Sequence, residues 1–561
     1  MTQLKYRLGE LLNNIRQPRE IKLDLPQSER FAEVDGLLVG KLNGQWQAYD
    51  SICDHNGGKL ALNDDKTRAV CPLHKWTLLL NDGKYENGCA KHSLAVTELE
   101  DSLIVSRYDE SFSPLDNGYL TASPLEFIFN AHASVSIIVN DLQLITDPWL
   151  LGPCFATGWW HAYPPSQQAV ERLKSSNLIY ISHNHPDHLH LPSLKQCVNA
   201  NTQFIVPNFE SKSVETILRR EGYNNLIIAD FLQEIIIDTD QGQVKLVVVN
   251  SGDDRDDSSL LIYTQNSSAF LGVDTNMPNR WILPKVDVLF TPFSGGATAF
   301  PSRIENFSRD EKIQIINTNR KFMLTNHVTK IINATQPKYV VPYAGYFTEL
   351  YRDNDVKNIN IKNSAAEMIA FVEARFKSLQ GINPLITPKF RLVAGQVDII
   401  EVQEIPAYRI DQAYVEQHIQ AYVGDTATVD SHFLDQLGQQ FIRSEFIDDL
   451  TLLIIPSDDD FLRVGSQLLA VDFSAAQRQY QLISLEDLAD PLICQRIAQQ
   501  TANNIELLRI RQDTLKAVVS HGLPFEDLSI GFQTKMYRQP NVYNFKFWNH
   551  FTNIEFVRCA G

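Results

Sequence analysis

Short apolar runs separated by turn residues characterise the first part of the chain, up to about residue 112. Apolar and aromatic residues group at positions 37–39, 46–49, 69–70, 76–80 and 103–105. Runs of this length between turn residues predict β-strands, and Asn81-Asp82-Gly83 is a strong hairpin signal. The polar segment 107–118 predicts a linker, so we expect an all-β domain at residues 1–112.

Longer apolar strands alternate with helical stretches from about residue 120. Strand-like runs occupy residues 134–139, 142–146, 178–181, 204–206, 226–228, 244–249, 260–263, 269–273 and 286–290. Helical stretches lie between several of these strands, which is the pattern of a mixed α/β domain. We place this domain at residues 118–400.

The pattern changes again past about residue 400. Residues 414–422, 432–441 and 485–519 have mostly helical patterns, and a strand at 452–455 interrupts them. Segment 530–551 is rich in aromatic residues, which favours a packed core or an interface. We therefore predict a mostly helical C-terminal accessory region, residues 401–561, that packs on the preceding domain.

Composition narrows the classes of function. The formal net charge of −17 argues against sequence-independent nucleic-acid binding, and no apolar run approaches the ~20 residues of a membrane helix. The N-terminus is polar and lacks a signal-peptide pattern, so we expect a cytoplasmic protein. Seven cysteines, an odd number spread widely along the chain, argue against a disulfide framework.

Two short Cys/His motifs lie in the β-rich first domain. Cys53-Asp54-His55 is followed by Cys71-Pro72-Leu73-His74. A Rieske [2Fe-2S] cluster needs two thiolates on one iron and two imidazoles on the other, and each motif supplies one of each. The alternative is a structural zinc site with the same ligand types. We assign Cys53, His55, Cys71 and His74 to a Rieske cluster.

A second motif follows the buried strand at 178–181 directly. It places His183, His185, Asp187 and His188 within six residues. Side chains at 183, 185 and 187 share one face of an extended chain, and His188 joins them where the chain turns. This motif, with Asp147-Pro148-Trp149 on the preceding strand, resembles the metallo-β-lactamase fold. The resemblance implies an αββα sandwich with two metals at one edge.

The remaining ligands differ from those of the hydrolytic members of that fold. Residues 250–257 contain no histidine, so Asp253 or Asp254 is the expected replacement, and we prefer Asp253. Asp274, after the strand at 269–273, is the expected bridging carboxylate. No final histidine is evident: Tyr343 occupies its expected place, and His327 is a poorer candidate because its surroundings predict a helix. Mixed carboxylate and imidazole ligands favour a dinuclear iron centre, with zinc as the alternative.

Several further stretches resemble one family, the CMP-N-acetylneuraminate hydroxylases, which join a Rieske domain to a metallo-β-lactamase-like domain. They are residues 146–153 with 158–160, 178–189, 293–297 with 300–301, 344–347, 531–534 and 547–551. The resemblance covers nearly the whole chain. It implies hydroxylation of the N-acetyl methyl group of CMP-sialic acid by a Rieske-dependent diiron monooxygenase.

The resulting hypothesis is a monooxygenase that uses O2 and external electrons. No Gly-rich dinucleotide motif is present, so we expect an electron donor of the ferredoxin or cytochrome b5 type with an NAD(P)H reductase. The substrate is expected to be an anionic, sugar-nucleotide-like small molecule. Gly295, Gly296 and Tyr343 are candidate substrate contacts, and the candidate cations for an anionic group are Arg280, Arg320 and Lys321.

Three alternative functions remain open. One is C-hydroxylation or N-oxygenation of another natural-product metabolite by the same machinery. Another is a zinc-dependent hydrolase, of the phosphodiesterase or lactonase type, that carries a Rieske domain. The third is an electron-transfer protein whose metallo-β-lactamase-like part only binds a partner.

Overall fold

The computed structural model of the protein describes most of the chain. The described residues are 4–26, 28–54, 59–72, 75–86, 88–112, 119–253, 255–349, 361–407, 410–424, 429–458, 461, 465–475, 478–484 and 504–553. At 15–18, 107–111, 296–299 and 553 only the backbone is described. Within these ranges, every helix is too short or too polar to span a bilayer.

The first region is all β, as predicted. A six-stranded sheet has the order Asn14–Asp24, Ser102–Phe112, Ser93–Glu98, Gln45–Asp50, Leu37–Leu42 and Ala32–Val34. A smaller sheet has the order Ala61–Leu62, Arg68–Val70, Thr77–Leu79 and Lys84–Tyr85. The predicted linker is wrong at 107–112, because the strand Ser102–Phe112 continues to Phe112 and pairs with Asn14–Asp24, which lies at the sheet edge. Polar residues are common on such an edge.

The central region consists of two eight-stranded sheets. The first sheet has the order Tyr6–Leu11, Gln233–Thr239, Gly242–Asn250, Ser258–Tyr263, Ser268–Leu271, Val288–Pro292, Tyr339–Tyr343 and Gln380–Gly381. The second has the order Leu226–Ala229, Gln203–Pro207, Leu178–Tyr180, Leu142–Thr146, Ser134–Val139, Leu125–Ala131, Lys389–Val393 and Gln396–Glu401. Trp159–His161 pairs separately with Phe347–Glu349. The strand Tyr6–Leu11 therefore extends the central sheet, although it lies within the predicted first domain.

Alternation along the strands explains how the layers form. Leu178 and Tyr180 belong to the core between the two sheets, whereas Ile179 and Ile181 belong to the cluster beneath the outer helices. The helices are Gln167–Ser175, Leu191–Cys197, Ser213–Arg220, Arg309–Phe322, Thr329–Thr335 and Ala365–Arg375, with a π-helix at Met323–Val328 and 3-10 segments at Pro278–Trp281 and Gly296–Arg303. Apolar residues on both faces of the strands thus produce the predicted αββα sandwich.

The C-terminal region contains the predicted helices and, in addition, a five-stranded sheet. The helices are Gln412–Val423, Ser431–Arg443, Gln512–His521, Glu526–Ile530 and Phe545–Asn553. The sheet has the order Gln479–Ser484, Gln467–Asp472, Leu450–Ser457, Asn504–Arg511 and Thr534–Gln539. The helix predicted at 485–519 is wrong for 504–511, and 485–503 lies outside the described residues. Both neighbours of Asn504–Arg511 are strands, so this segment is buried almost throughout and lacks the alternation that marks a half-buried strand.

The C-terminal region packs closely on the central region. The indole of Trp159 donates a hydrogen bond to the carbonyl of Ile530 (2.9 Å), and the amide of Gln533 donates one to the carbonyl of Ala156 (2.9 Å). A Cβ atom at Gly158 would lie 2.0 Å from the carbonyl oxygen of Gly531. Glycine is therefore required at this contact. The exact domain boundaries stay a prediction.

A core substitution tests the packing of the two sheets. Phe127 is 1% exposed and its ring lies 5.1 Å from that of Phe290 and 5.2 Å from that of Phe390. We expect Phe127→Ala to destabilise the central region by roughly 3–5 kcal/mol, because it leaves a cavity. Ile399→Ala, at a side chain that is 55% exposed, is the control and should change stability by less than ~0.5 kcal/mol. Equal urea midpoints for the two variants would contradict the assigned core.

Candidate metal centre

The loop after the strand Leu178–Tyr180 carries the histidine motif, and Asp147 fixes its start. Asp147 follows the neighbouring parallel strand Leu142–Thr146. Its Oδ1 accepts a hydrogen bond from the Ser182 amide (2.8 Å), and its Oδ2 accepts one from the Ser182 hydroxyl (2.8 Å). Because both residues are fully buried, these bonds hold the first residue of the loop in one position.

The structure brings five of the predicted ligands together. Three groups have ligand atoms that all lie within 4.8 Å of one another: His183, His185 and Asp257; His183, His188 and Asp274; and His132, Asp187 and His188. The Nε2 of His183 lies 2.9 Å from the Nδ1 of His185. The overlapping groups form one continuous set of donors that is large enough for two metal ions.

The donor set fits metal binding. The Nε2 of His188 lies 3.3 Å from Asp187 Oδ2 and 3.5 Å from Asp274 Oδ2. This nitrogen and the Oδ1 of Asp187 are buried and have no hydrogen-bond partner among the described residues. Unsatisfied buried polar atoms are costly, and a metal ion would satisfy both.

Outer hydrogen bonds orient the imidazoles. The Nδ1 of His188 lies 3.0 Å from Asp147 Oδ2, and the Nδ1 of His183 lies 2.9 Å from the Ser182 hydroxyl. Both contacts leave Nε2 pointing at the donor set, as for metal-bound histidines. Burial, together with the nearby His188 and His185, lowers the pKa of His183 well below its usual range. His183 is therefore neutral, the form that binds metals.

The backbone is strained around these residues. Asp147, His132 and Val273, which precedes Asp274, have positive φ angles of 37°, 41° and 48°. Such conformations cost about 1–3 kcal/mol each and concentrate at functional sites. Val273 is the least expected of the three because its side chain is β-branched.

Asp257, and not the predicted Asp253, contributes the carboxylate beside His183 and His185. Asp257 is 5% exposed, and its Oδ1 lies 3.8 Å from the Nε2 of His183. Asp253 is only half-buried, and its Oδ2 accepts a hydrogen bond from Asn276 Nδ2 (2.9 Å). Asp254 lies outside the described residues. The signal that sequence reasoning missed is the position of Asp257 immediately before the strand Ser258–Tyr263.

The C-terminal region supplies a carboxylate, Glu526, that lies beside His185. The Nε2 of His185 lies 3.9 Å from the Oε2 of Glu526. Burial opposes a charge on His185, but Glu526 outweighs this effect and raises its pKa to about 9. Since the Nδ1 of His185 faces His183, Glu526 occupies the position from which a carboxylate orients a metal-bound imidazole.

A cavity of about 220 Å³ adjoins the donor set. Its lining combines aromatic residues with site residues, including Phe155, Trp159, His185, Asp274, His327, Phe347 and Phe532. The predicted Gly295 lines it; Gly296 starts the segment Gly296–Arg303. Tyr343 does not reach it, because its hydroxyl donates a hydrogen bond to the Ala133 carbonyl in the core.

The predicted cations lie away from this cavity. Arg280 lines a different cavity, Arg320 pairs with Glu367 (3.3 Å), and Lys321 is exposed. Arg255, which sequence reasoning missed, is the cation in the lining. Burial opposes its charge, but Asp253 and the surrounding acidic groups outweigh this effect and raise its pKa.

The first-domain site is described only in part. Cys53 and Cys71 are fully buried and belong to one apolar cluster, whereas His55 and His74 lie outside the described residues. Lys91 Nζ donates hydrogen bonds to the Ile52 carbonyl (2.6 Å) and to Asp54 Oδ1 (3.1 Å). These bonds fix the loop that carries Cys53.

Comparisons with known proteins agree with this architecture. Residues 13–98 match the Rieske [2Fe-2S] domain family. The chain is 28% identical to the cytidine monophosphate-N-acetylneuraminic acid hydroxylase of Macaca mulatta over 92% of its own length and 88% of the relative. It is 27% identical to the hydroxylase of Danio rerio, with coverage of 92% and 88%.

Solved structures with partial likeness include two metalloenzymes. CmlA, a diiron β-hydroxylase from Streptomyces venezuelae, has a TM-score of 0.30 and 16% identity, covering 50% of this chain and 55% of that one. Igni18, a metallo hydrolase from Ignicoccus hospitalis, has a TM-score of 0.28 and 13% identity, covering 50% of this chain and 100% of that one.

The sequence relatives confirm the predicted resemblance and, with it, the prediction that the chain is an oxygenase. The Rieske match supports a [2Fe-2S] cluster and therefore electron exchange with a partner.

Paired substitutions test the assignment of the carboxylate ligand. We expect Asp257→Asn to weaken metal binding, because it removes a charged donor. Loss of a residue that only hydrogen-bonds a metal ligand typically lowers metal affinity about 10- to 100-fold, and the effect of Asp257→Asn should be at least as large. Asp253→Asn, the matched control four residues earlier, should retain the metal. Elemental analysis after dialysis against a chelator measures both. Loss of metal from the Asp253 variant alone would contradict the assignment.

Proposed function

We propose that this protein is a Rieske-dependent non-haem diiron monooxygenase that hydroxylates the N-acetyl group of CMP-N-acetylneuraminate. The observation that carries the proposal is the presence, in one chain, of a Rieske domain and a buried His/Asp donor set. The similarity to the hydroxylases over 92% of the chain supports the substrate. A cytoplasmic location stays a prediction.

The donor set favours iron. His183, His185 and Asp257 form a two-histidine, one-carboxylate group, the ligand combination of non-haem Fe(II) oxygenases. His188, Asp187 and Asp274 add one more imidazole and two more carboxylates. Zinc hydrolases of this fold usually have a further histidine where this chain has Asp257. The exchange of a histidine for an aspartate gives the site a harder, oxygen ligand, and this favours iron.

The cavity is suited to the reacting end of a substrate. Its volume of about 220 Å³ is below the ~300–1,000 Å³ of sites that enclose whole drug-sized ligands. Trp159 and Phe347 stack with their centroids 3.6 Å apart and form an apolar wall. Arg255 offers a positive charge for an anionic group, and the Gly295 backbone permits close approach.

The chain's own residues bind and orient the substrate and remove water from around it. Apolar side chains from the C-terminal region, Ile530 and Phe532, line the cavity and exclude water from the reacting carbon. Bound iron supplies the activation of O2 that no side chain provides. Electrons come from outside, and we propose a ferredoxin or cytochrome b5 type donor with an NAD(P)H reductase.

Two other functions are also compatible with these observations. Oxygenation of another metabolite would keep both centres and change only the cavity contacts. A zinc hydrolase would keep the donor set and leave the Rieske domain without a role in turnover.

Metal analysis separates the hydrolase from the oxygenase. We expect about four irons and about two acid-labile sulfides per chain, because the cluster and the second site each hold two irons. The measurement is elemental and sulfide analysis of protein purified without added metal. Two irons accompanied by stoichiometric zinc would favour the hydrolase.

Turnover tests the reaction itself. With NADPH, a surrogate ferredoxin and its reductase, CMP-N-acetylneuraminate and 18O2, we expect a product that carries one labelled oxygen, measured by mass spectrometry. His55→Ala should abolish turnover, because it removes a predicted cluster ligand. Unlabelled product, or full activity of the His55 variant, would contradict the mechanism. Label in a different added metabolite would reject the substrate alone.

A further inference from the structure

A wall of protein lies between the metal-site cavity and a second cavity of about 730 Å³ beside the Rieske domain, and residues of one short segment line both. Cys53 and Asp54 line the second cavity on one side, and Met277 and Trp281 line it on the other. Residues 274–281 thus run between the two cavities, since Asp274 lines the metal-site cavity.

Trp281 and His327 face each other across this wall. Trp281 lines the cluster-side cavity, and His327 lines the metal-side cavity. Their ring centroids are 5.6 Å apart with an interplanar angle of 66°. Edge-to-face contact at this distance is typical of packed aromatic rings, so the pair forms a continuous π contact between the two cavities.

The backbone departs from regular structure at both residues. His327 lies in the π-helix Met323–Val328, which interrupts two α-helical segments. Such insertions are frequent at functional sites. Asn279, Arg280 and Trp281 have positive φ angles of 41°, 54° and 69°, a conformation that is costly for bulky residues. The fold therefore holds the indole and the imidazole together although the backbone at both residues departs from its preferred conformation.

Each end of the pair connects to a redox site. Lys330 Nζ lies 5.7 Å from the Trp281 ring centroid and interacts electrostatically with Cys53 and Cys71. The Trp281 end is thus close to the cluster-binding thiols. At the other end, His327 contacts the backbone of Asn276, two residues after Asp274. The side chain of Asn276 also donates to Asp253, which lines the cluster-side cavity.

We propose that Trp281 and His327 form the route by which electrons pass from the Rieske cluster to the second metal site. The inference rests on the proposed monooxygenase function. In each turnover the external donor reduces the cluster twice, and the cluster passes the two electrons one at a time across the wall. Together with two protons and O2 they yield one water and the oxygen atom inserted into the substrate C–H bond. Packed rings favour this step because electronic coupling is greater through contacting atoms than across empty space.

His327 acts in this route without being a metal ligand. Its Nε2 is buried and has no hydrogen-bond partner among the described residues, yet among those residues His327 belongs to none of the donor groups whose ligand atoms lie within 4.8 Å of one another. A bridging role and a ligand role predict different results, because only the loss of a ligand removes iron.

Single-turnover kinetics of the holoenzyme test the route. The reduced enzyme with CMP-N-acetylneuraminate is mixed with O2, and reoxidation of the cluster is followed by its visible absorbance. We expect Trp281→Leu and His327→Leu to slow reoxidation several-fold with unchanged iron and sulfide content and an unchanged cluster EPR spectrum. Trp281→Phe, which keeps an aromatic ring, should restore most of the rate.

Trp46→Leu is the matched control, since Trp46 is a buried tryptophan of the first region that packs away from both cavities. It should reoxidise at the wild-type rate. Wild-type reoxidation rates in both Trp281→Leu and His327→Leu would overturn the route. Loss of iron in His327→Leu would also overturn it, because His327 would then be a metal ligand. Failure of the wild-type enzyme to form hydroxylated product with substrate and O2 would instead reject the proposed function.

Discussion

The buried ionic network around Asp147 is the interaction on which the second site depends. One carboxylate holds the Ser182 amide, the Ser182 hydroxyl and the Nδ1 of His188 at hydrogen-bond distance. A negative charge so deeply buried is costly unless it is fully paired. These donors stabilise it, and in return it fixes the direction of the imidazoles. The strained φ angles at Asp147 and Val273 persist because the two packed sheets enforce them.

The C-terminal region completes the cavity beside the metal-binding residues and is not a separate appendage. It contributes Glu526 behind His185 and Phe532 to the cavity lining. Contact between Gly158 and Gly531, with no room for a side chain, ties this region to the loop beside the cavity. Sequence similarity to the hydroxylases covers 92% of the chain and so extends well beyond the metal motifs.

Local patterns predicted those parts of the molecule that depend on neighbours in sequence. Short-range rules predicted the apolar strand that leads into His183 and the alternation that places residues 183, 185 and 187 on one face. They also predicted Asp274 after its strand. The preference for Asp253 did not anticipate Asp257, since four aspartates lie within residues 253–257 and only the three-dimensional fold places Asp257 beside His183. The sequence predicted a helix around His327, and the structure has one, but sequence reasoning did not foresee the π-helical turn Met323–Val328 within it or the place of His327 in the cavity lining. The strand Asn504–Arg511 was taken for a helix because strands buried on both faces have no period.

Oxygen insertion driven by electrons stored in the protein itself is the central claim. The most direct measurement uses the reduced holoenzyme without any reductase, mixed once with 18O2 and CMP-N-acetylneuraminate and analysed by mass spectrometry. We expect a single turnover with labelled N-glycolyl product, since the reduced holoenzyme holds at least the two electrons that one oxygen insertion requires. Hydrolysed substrate without label, or no labelled product at all, would contradict the claim.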